Sequence, residues 1–335
     1  MNKLEELINE LCPNGVEYKK IGDVCDILRG KRLTKKELSD EGKYPVLHGG
    51  SSPMGYYNEY NRKANTTVVV NTGNAGSVFF YDKEFWSSDA CFSIYPKDCL
   101  RDKFIFFFLS SNEHKLKSRI RYGAMPTIDS LAVETIKIPV PPLEVQDEIV
   151  KILDNFTLLT AELTAELTAR QKQYAFYRDY LLDFSDEDVT KKTPDIDCSN
   201  VEYIKLKDVC KIGDGLHSTP IYDNNGSYYF INGNNLENGR ITFTENTKRI
   251  NISQYERYKI ELDDATILMS INGTIGKIAL YNREPIILGK SVAYFNVNER
   301  ILKKYLYYLL QTNRSNAYYE KNLTGSTIKN LGLKR

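Results

Sequence analysis

The feature that most constrains the fold of this chain is an internal duplication. Two segments return at an offset of 185 residues: Val16-Glu17-Tyr18 as Val201-Glu202-Tyr203, and Ile21-Gly22-Asp23-Val24-Cys25 as Leu206-Lys207-Asp208-Val209-Cys210. Two more return at an offset of 200, namely Gly73-x-x-Gly76 with Tyr81, and Thr127-Ile128 with Leu131. Matches in this order predict one domain present twice. The second copy has 15 extra residues, expected in a longer surface loop between Cys210 and Gly273.

Each copy mixes strands and helices. β-branched runs predict strands at Thr67–Val70 and Ala265–Met269, and Gly-bearing turns lead from them to return strands at Val78–Tyr81 and Ile278–Tyr281. The spacing of aromatic residues and leucines predicts a short helix over residues 103–117 and another over residues 303–319. The predicted fold class is therefore α+β, with two homologous domains.

A long helix is predicted between the copies. The extended segment Ile138-Pro139-Val140-Pro141-Pro142 is followed by residues 143–182, which contain no Gly or Pro. Within them a heptad pattern typical of a coiled coil runs through Ile149, Leu153, Phe156, Thr160, Leu163, Leu167, Arg170, Tyr174, Tyr177 and Leu181. The alternative, a helix packed along one domain's core, is disfavoured by the length of about 60 Å. The predicted boundaries are 1–140 for the first domain, 141–183 for the helix, 184–200 for a linker and 201–335 for the second domain.

Composition limits the class of protein. Lys and Arg total 45 against 44 Asp and Glu, so the net charge of +1 creates no overall attraction to nucleic acid or membrane. The apolar run Phe104–Leu109 is too short to span a bilayer, and the acidic start Met1-Asn2-Lys3-Leu4-Glu5-Glu6 does not resemble a signal peptide. We therefore expect a cytoplasmic protein with no membrane partner. The six cysteines form no C-x-x-C pair, so no metal site is expected.

On these residues the chain resembles the specificity subunit of a type I restriction–modification system. The resemblance covers nearly all of it, and it rests on three segments placed in order on the duplicated frame. They are Leu11-Cys12-Pro13-Asn14-Gly15-Val16-Glu17-Tyr18, Ile138-Pro139-Val140-Pro141-Pro142-Leu143-Glu144-x-Gln146, and Asp214-Gly215-x-His217-x-Thr219-Pro220. One departure is that the family's distal helix, which pairs antiparallel with the central helix, is missing. That departure is expected of a truncated or recombined allele.

The resemblance implies a division of labour. Each target-recognition domain would read one half of a bipartite site in double-stranded DNA, and the helix would fix the spacer between the halves. The helix would also dock the methyltransferase subunits, to which the restriction subunits add. S-adenosylmethionine, ATP and magnesium would then bind only to those partner subunits, and this chain would hold no cofactor and perform no catalysis.

An apolar helix face also needs a partner, because large exposed apolar patches are rare on monomers. The predicted partner-helix interface is Ile149, Leu153, Phe156, Leu163, Leu167, Tyr174, Tyr177 and Leu181. Self-association of the isolated chain through this unpaired helix is expected.

Candidate DNA-binding residues follow from charge and turn chemistry. Phosphate contacts need cations, which are densest at Arg29, Lys31, Arg32, Lys35 and Lys36 and recur at Lys115, Lys117 and Arg119. Base reading needs amides, hydroxyls and cations on close-approaching loops. The candidates of that kind are Asn71, Thr72, Asn74, His217, Ser218, Thr219, Asn232, Asn234, Asn235, Asn272, Thr274 and Lys277. Solvated charge and ordinary turn formation are the alternative interpretations of these same residues.

Enzymatic motifs are absent from the sequence. Gly289-Lys290-Ser291 could end a phosphate-binding loop, but Glu284 stands where its first glycine should be. The single Pro-Pro pair is flanked by Val140 and Leu143, unlike the active-site tetrapeptide of amino-methyltransferases. Two other functions stay open at this point: the specificity subunit of a type II enzyme that cuts at a split site, and a scaffolding protein that binds no DNA.

Overall fold

The computed structural model of the chain describes residues 3–50, 52–184 and 201–333. Residues 185–200, which hold nearly all of the predicted linker, lie outside the described residues. The chain divides into two compact units, Met1–Ala165 and Glu166–Arg335. The domain boundaries given above stay predictions.

The first unit begins with a helix and alternates short strands with short helices. Its helices are α1 (Lys3–Leu11), α2 (Ile21–Val24), α3 (Asp102–Ser111), α4 (Glu113–Lys117), α5 (Ser130–Glu134) and the start of α6 (Leu143–Leu182). Its strands are β1 (Tyr18–Lys20), β2 (Cys25–Arg29), β3 (Tyr44–Leu47), β4 (Gly55–Tyr57), β5 (Thr66–Val70), β6 (Val78–Tyr81), β7 (Trp86–Ser87), β8 (Cys91–Pro96) and β9 (Lys137–Pro139).

The second unit contains the end of α6 and a similar succession of elements. Its helices are α7 (Leu206–Val209), α8 (Ile252–Tyr258), α9 (Lys303–Leu309) and α10 (Asn313–Lys321). Its longer strands are β10 (Cys210–Asp214), β11 (Tyr228–Ile231), β14 (Lys248–Ile250), β15 (Thr266–Ser270), β16 (Ile278–Leu280), β17 (Ile286–Leu288) and β18 (Val292–Val297). Two-residue strands are β12 (Leu236–Glu237), β13 (Arg240–Ile241), β19 (Leu323–Thr324) and β20 (Asn330–Leu331).

The two units share one sheet topology. A four-stranded sheet has the order β2-β8-β5-β6 in the first unit and β10-β18-β15-β16 in the second. A three-stranded sheet has the order β4-β3-β7 in one and β14-β11-β17 in the other, with one antiparallel and one parallel pair each. The predicted α+β class and the duplication are therefore confirmed.

The main core of each unit lies between the four-stranded sheet and the helices that cross it. In the first unit Val69 and Ile94 of the sheet belong to one buried cluster with Ile105 and Leu109 of α3. In the second unit Ile267 and Phe295 join Leu306 of α9 in the equivalent cluster. The opposite face of β5 and β15 packs into further buried clusters, which explains why every residue of these two strands is buried.

Helix α6 spans Leu143–Leu182, within the predicted range 141–183 and coincident with the stretch that lacks Gly and Pro. Its first turns are fixed inside the first unit, where Gln146 is fully buried. Gln146 Oε1 accepts from Arg101 N at 2.9 Å, and its Nε2 donates to Cys99 O at 2.9 Å and to Pro141 O at 2.8 Å. Within the second unit, Asp179 Oδ2 accepts from Asn313 N at 2.9 Å, so the end of the helix contacts the start of α10.

Most of the predicted partner-helix interface is exposed. Ile149 packs partly against the core of the first unit, and Leu153 is half-buried. The other members are each more than half exposed, namely Phe156, Leu163, Leu167, Tyr174, Tyr177 and Leu181. Within the described residues, no helix is both long enough and apolar enough to cross a bilayer. A partner for the exposed apolar stripe of α6 stays a prediction.

Each of the two predicted short helices is in fact a pair. Between α3 and α4, Asn112 leaves the helical conformation (φ −108°, ψ 16°), and its Nδ2 donates to Phe108 O at 2.8 Å. Between α9 and α10, the Thr312 hydroxyl accepts from Ser315 N at 3.2 Å and caps the second helix. Local amide and hydroxyl groups compete with the helical hydrogen bonds and divide each segment.

The extra residues of the second copy are not simply a surface loop, so that prediction is wrong. Residues 232–265 connect β11 to β15 where residues 48–65 connect β3 to β5, and they contain the β12–β13 pair and α8. Leu236 is fully buried and Ile241 is 8% exposed, in one cluster with Leu268 of β15. The high content of Asn and Gly predicted a surface loop, but Leu236 and Ile241 within this segment extend the core.

The match of Thr127-Ile128 with Thr327-Ile328 is also wrong, by three residues. Ile128 N donates to Asn71 O at 2.8 Å, and Leu331 N donates to Ile271 O at 2.8 Å. Ile128 and Leu331 are both buried, whereas Ile328 is 64% exposed. Ile128 is therefore equivalent to Leu331, because burial of the apolar side chain and not the letter match determines the register.

Candidate nucleic-acid interface

One edge of the first unit collects loops that are distant in sequence. We call residues 29–36, 48–50, 71–74 and 87–90 the first loop edge. Strands β2 and β5 end there and β8 begins there, because Arg29 pairs with Phe92 and Val70 with Cys91 in antiparallel register. Asn74 N donates to Gly49 O at 3.0 Å, and Ser88 N donates to Leu47 O at 3.0 Å. The predicted basic segment and the predicted Asn71–Asn74 turn therefore share one edge.

Glycines allow these loops to approach one another closely. A Cβ atom on Gly30 would lie 2.1 Å from Ser88 O, so only glycine fits between the basic segment and the segment before β8. Gly73 has φ +91° and its equivalent Gly273 has φ +74°, a conformation that glycine adopts without strain. The repeated Gly-x-x-Gly pattern thus reflects the same backbone turn in both units.

The basic segment presents its cations outward. Arg29, Lys31, Arg32, Lys35 and Lys36 are all exposed. The short turn that carries Lys35 and Lys36 is closed by Glu37 Oε2, which accepts from Thr34 N and from Thr34 Oγ1, each at 2.7 Å. These two hydrogen bonds hold the pKa of Glu37 below its usual value, with the charge of Lys31 as a smaller contribution.

The predicted base-reading turn of the first unit has mixed roles. Asn71 is 2% exposed, and its Nδ2 donates to Asp89 O at 3.1 Å while its Oδ1 accepts from Thr72 Oγ1 at 2.8 Å. Asn71 and Thr72 therefore hold the turn together. Asn74, by contrast, is exposed on the loop edge.

The second predicted cationic group adjoins this turn, since a Cβ atom on Gly76 would meet Lys117 Cγ at 3.1 Å. Lys117 Nζ lies 2.5 Å from Glu113 Oε2, and Arg119 Nη1 donates to Ala132 O at 2.8 Å and to Thr135 Oγ1 at 2.6 Å. Arg119 thus stabilises the end of α5. Lys115 is exposed on α4.

The second unit repeats the arrangement. We call residues 214–219, 232–235, 271–274 and 289–291 the second loop edge. Gly215 N donates to Val292 O at 3.1 Å, Gly289 N to Ile231 O at 2.8 Å and Ile271 N to Ser291 O at 2.9 Å. The structure therefore brings together the predicted residues of three separate segments: His217, Ser218 and Thr219, then Asn232, Asn234 and Asn235, then Asn272 and Thr274.

Some of these side chains organise the second loop edge and others are available at its surface. Asn235 Oδ1 accepts from Asn232 N at 3.0 Å, and its Nδ2 donates to Thr242 O at 3.0 Å, so Asn235 closes its own loop. His217 Nε2 lies 2.8 Å from Asp214 Oδ2. The exposed members are His217, Ser218, Thr219, Asn234 and Thr274, and Lys277 is half-buried on the return side of the turn.

Three residues of the loop edges were missed by the sequence analysis. His48 Nδ1 lies 2.8 Å from Ser88 Oγ and 4.0 Å from Asp89 Oδ1. Asp89 accepts, through its main-chain oxygen, from Arg29 Nε at 2.9 Å as well as from Asn71. Lys290 is exposed at the equivalent place in the second unit. For Asp89 and Lys290 the signal was a charged residue two positions before a buried strand, which becomes meaningful once the strand register is known.

Two buried oxygens distinguish these edges from the rest of the described chain. Asp89 Oδ1 and Asn272 Oδ1 are the buried side-chain nitrogen or oxygen atoms, among the described residues, that have no hydrogen-bond partner. A buried acceptor without a partner costs about 1–3 kcal/mol, so such atoms call for a reason other than stability. One of them lies on each loop edge.

Cys25, Cys91 and Cys210 belong to the cores and not to a reactive site. Burial raises the pKa of Cys25 to about 12, that of Cys91 to about 11 and that of Cys210 to about 11. These thiols are therefore protonated at neutral pH and are poor nucleophiles or metal ligands. Within residues 3–50, 52–184 and 201–333, no group of three or more His, Cys, Asp or Glu side chains is arranged to hold a metal ion.

Comparison with known proteins agrees with this architecture. A specificity subunit of a type I restriction enzyme from Methanocaldococcus jannaschii is 27% identical over 93% of this chain and 77% of its own length. One from Escherichia coli is 25% identical over 100% of this chain and 83% of its own length. A Mycoplasma pneumoniae protein named as a type I specificity subunit is 36% identical, over 49% of this chain and 46% of that protein.

A solved structure shares the fold of this chain, and a family model identifies its family. The crystal structure of a type I restriction–modification S subunit from M. genitalium superposes with a TM-score of 0.57 at 19% identity, covering 92% of this chain and 81% of that one. The family model described as "Type I restriction modification DNA specificity domain" matches residues 13–170 and again residues 198–335. Since the two matches cover both copies of the duplicated fold, the chain belongs to the family of type I restriction–modification specificity subunits.

Proposed function

We propose that each unit of this chain reads one half of a bipartite target in double-stranded DNA through its loop edge. The observation that carries the proposal is the presence of two loop edges on one backbone frame with different polar side chains. Equivalent frames with unlike side chains are what two unlike half-sites require. Family membership supports DNA target recognition, and the split of the target between the units is our own proposal.

The chemistry of the first loop edge supports contact with a duplex. Its five exposed cations, Arg29, Lys31, Arg32, Lys35 and Lys36, would neutralise phosphates and provide affinity independent of sequence. Exposed amides and hydroxyls beside close-packed glycine loops would provide the base contacts. Asn74 in the first unit and Asn234 and Thr274 in the second unit are such side chains.

Helix α6 supports a role as the spacer between half-sites. At about 1.5 Å per residue its 40 residues extend about 60 Å. Its start is fixed in the first unit by Gln146, and by the ion pairs of Arg101 with Asp147 at 2.8 Å and of Lys103 with Asp154 at 2.7 Å. A helix anchored in this way keeps its direction, and its exposed apolar stripe would bind the methyltransferase subunits.

Catalysis belongs, in this proposal, to the partner subunits. The methyltransferase subunits would bind S-adenosylmethionine, and the restriction subunits that join them would use ATP and magnesium. The chain itself would select the site and hold no cofactor. The relatives named above come from bacteria and an archaeon, where DNA lies in the cytoplasm, and we infer the same location for this chain.

The test is selection of binding duplexes from a randomised library by the full chain, alone and with its methyltransferase subunit. The expected motif has two specific blocks separated by a spacer of fixed length. Adding two base pairs to that spacer in a selected duplex should weaken binding at least tenfold, while two base pairs added outside the motif should have no effect. Methylome sequencing of cells with and without the gene should show the same motif.

The alternatives predict different results. A scaffolding protein that binds no DNA would select no duplex, and no salt-dependent, sequence-selective binding would be measured. A type II subunit would select a split motif but would pair with a different enzyme, and the type I family membership argues against it. A single contiguous block in the selected motif would contradict the assignment of one half-site to each unit.

A further inference from the structure

Two charged positions of the loop edges are structurally equivalent in the two units. Arg29 ends β2 and pairs with Phe92, while Asp214 ends β10 and pairs with Ala293. The next main-chain hydrogen bond is also the same, since Gly30 N donates to Cys91 O and Gly215 N donates to Val292 O, each at 3.1 Å. Arg29 therefore corresponds to Asp214. Counting back from β8 and β18 in the same register, Asp89 corresponds to Lys290.

The charges at these two positions are reversed between the units. The first unit has a cation at the end of β2 and a carboxylate before β8, and the second has a carboxylate at the end of β10 and a cation before β18. Arg29 and Lys290 are exposed, and the side chains of Asp89 and Asp214 are each 35% exposed. Surface charges of this kind contribute little to stability, so the reversal is not explained by folding.

The main chain of Asp89 is held by hydrogen bonds, whereas one oxygen of its carboxylate forms none. Its main-chain oxygen accepts from Arg29 Nε and Asn71 Nδ2, which fixes the residue. Its buried Oδ1 makes no hydrogen bond among the described residues and lies 4.0 Å from His48 Nδ1, while 35% of the side chain is exposed at the loop edge. A carboxylate at a DNA-facing edge can accept from the N4 amino group of cytosine. Lys290 is fixed by its main-chain N, which donates to Leu216 O at 3.0 Å, and its exposed ammonium can donate to O6 and N7 of guanine.

We propose that Asp89 and Lys290 are specificity-determining residues at equivalent places of the two half-sites, with Asp89 reading a cytosine and Lys290 reading a guanine. The inference rests on the proposed function, because it assumes that each loop edge faces one half-site. It goes further by naming one residue and one base in each half. The reversed charge then explains how one frame reads two different sequences.

The experiment is library selection with the full chain carrying Asp89→Lys, Asp89→Asn or Lys290→Asp. Asp89→Lys should change one position of one block from cytosine to guanine. Asp89→Asn should change the same position to adenine, because an amide pairs with N6 and N7 of adenine. Lys290→Asp should change one position of the other block from guanine to cytosine. On fixed duplexes each change of preference should be about tenfold or more, the discrimination typical of one base contact.

Matched controls make the same charge changes at the far end of the four-stranded sheet in each unit, away from the loop edge. Asp98→Lys lies beyond the far end of β8, and Lys211→Asp lies at the far end of β10, and both residues are exposed. Neither control should alter the motif, although Asp98→Lys should strengthen binding to all duplexes as any added cation does.

Each outcome decides between the two proposals. If the unmodified chain selects no bipartite motif, the proposed function fails before the variants are compared. If it selects one and all three variants select the same motif, the assignment of Asp89 and Lys290 is refuted while the proposed function stands. Loss of all binding by both Asp89 variants, with circular dichroism unchanged, would also refute it, since a specificity residue redirects binding and does not abolish it.

Discussion

The connection between the first unit and helix α6 depends on one buried side chain, and Gln146→Leu tests it. Leucine has a similar volume but can make none of the three hydrogen bonds of Gln146. The substitution would leave Arg101 N–H, Cys99 C=O and Pro141 C=O without their side-chain partner. A buried group left unpaired costs about 1–3 kcal/mol. The bond to Pro141 O is buried and the other two are partly buried, so water and the added apolar surface offset part of the sum. We therefore expect the free energy of unfolding of the first unit to fall by about 3–5 kcal/mol.

The assay is chemical and thermal unfolding followed by circular dichroism. For a unit of this size a loss of about 3 kcal/mol lowers the unfolding midpoint by about 6–12 °C. Gln173→Leu is the matched control, since Gln173 is exposed on the same helix and should change the midpoint by less than about 2 °C. A Gln146→Leu variant as stable as this control would refute the view that the buried amide fixes the start of the helix.

Three further predictions concern charge, the helix stripe and a buried thiol. Replacing Lys35 and Lys36 with alanine should lower the slope of log affinity against log salt concentration by about 2, and an unchanged slope would exclude both from phosphate contact. Replacing Leu163 and Leu167 with lysine should reduce self-association of the isolated chain in light scattering, because both side chains are more than half exposed. Burial raises the pKa of Cys91 from 9.0 to about 11, so this thiol stabilises the fold at neutral pH and the contribution is lost between about pH 9 and 11. Cys91→Ala should therefore flatten the fall of the unfolding midpoint over that range, and an equally steep fall would contradict the burial argument.

Local sequence patterns predicted the elements that depend on neighbours along the chain. The run Thr67–Val70 and the glycines at 73 and 76 predicted a strand and turn that the structure contains, because β-branching and positive φ act within a few residues. The long helix was predicted over residues 141–183 and runs over Leu143–Leu182, the stretch that no Gly or Pro interrupts. These signals are local, and so a single sequence is sufficient to find them.

Features that depend on strand register could not be predicted from local sequence patterns. Asp89 and Lys290 are equivalent only when β8 and β18 are aligned, and those strands have an offset of 201 and not the 200 of the glycine turns. Asn71 was predicted to face DNA, but polarity alone does not show which of two neighbouring amides in a turn is buried. The orientation of a side chain is decided by packing between distant segments, which composition does not report.

The glycine turns after β5 and β15 have a consequence for how such a protein can change. Their conformation is fixed by main-chain hydrogen bonds and by φ values of +91° at Gly73 and +74° at Gly273, not by the residue that follows. Asn74 and Thr274 occupy that next position, and both are exposed. Mutations there would alter the chemistry offered to a ligand while the protein remains folded. New binding preferences can thus arise by single substitutions of exposed side chains. Such substitutions do not destabilise the fold, so selection for stability does not eliminate them.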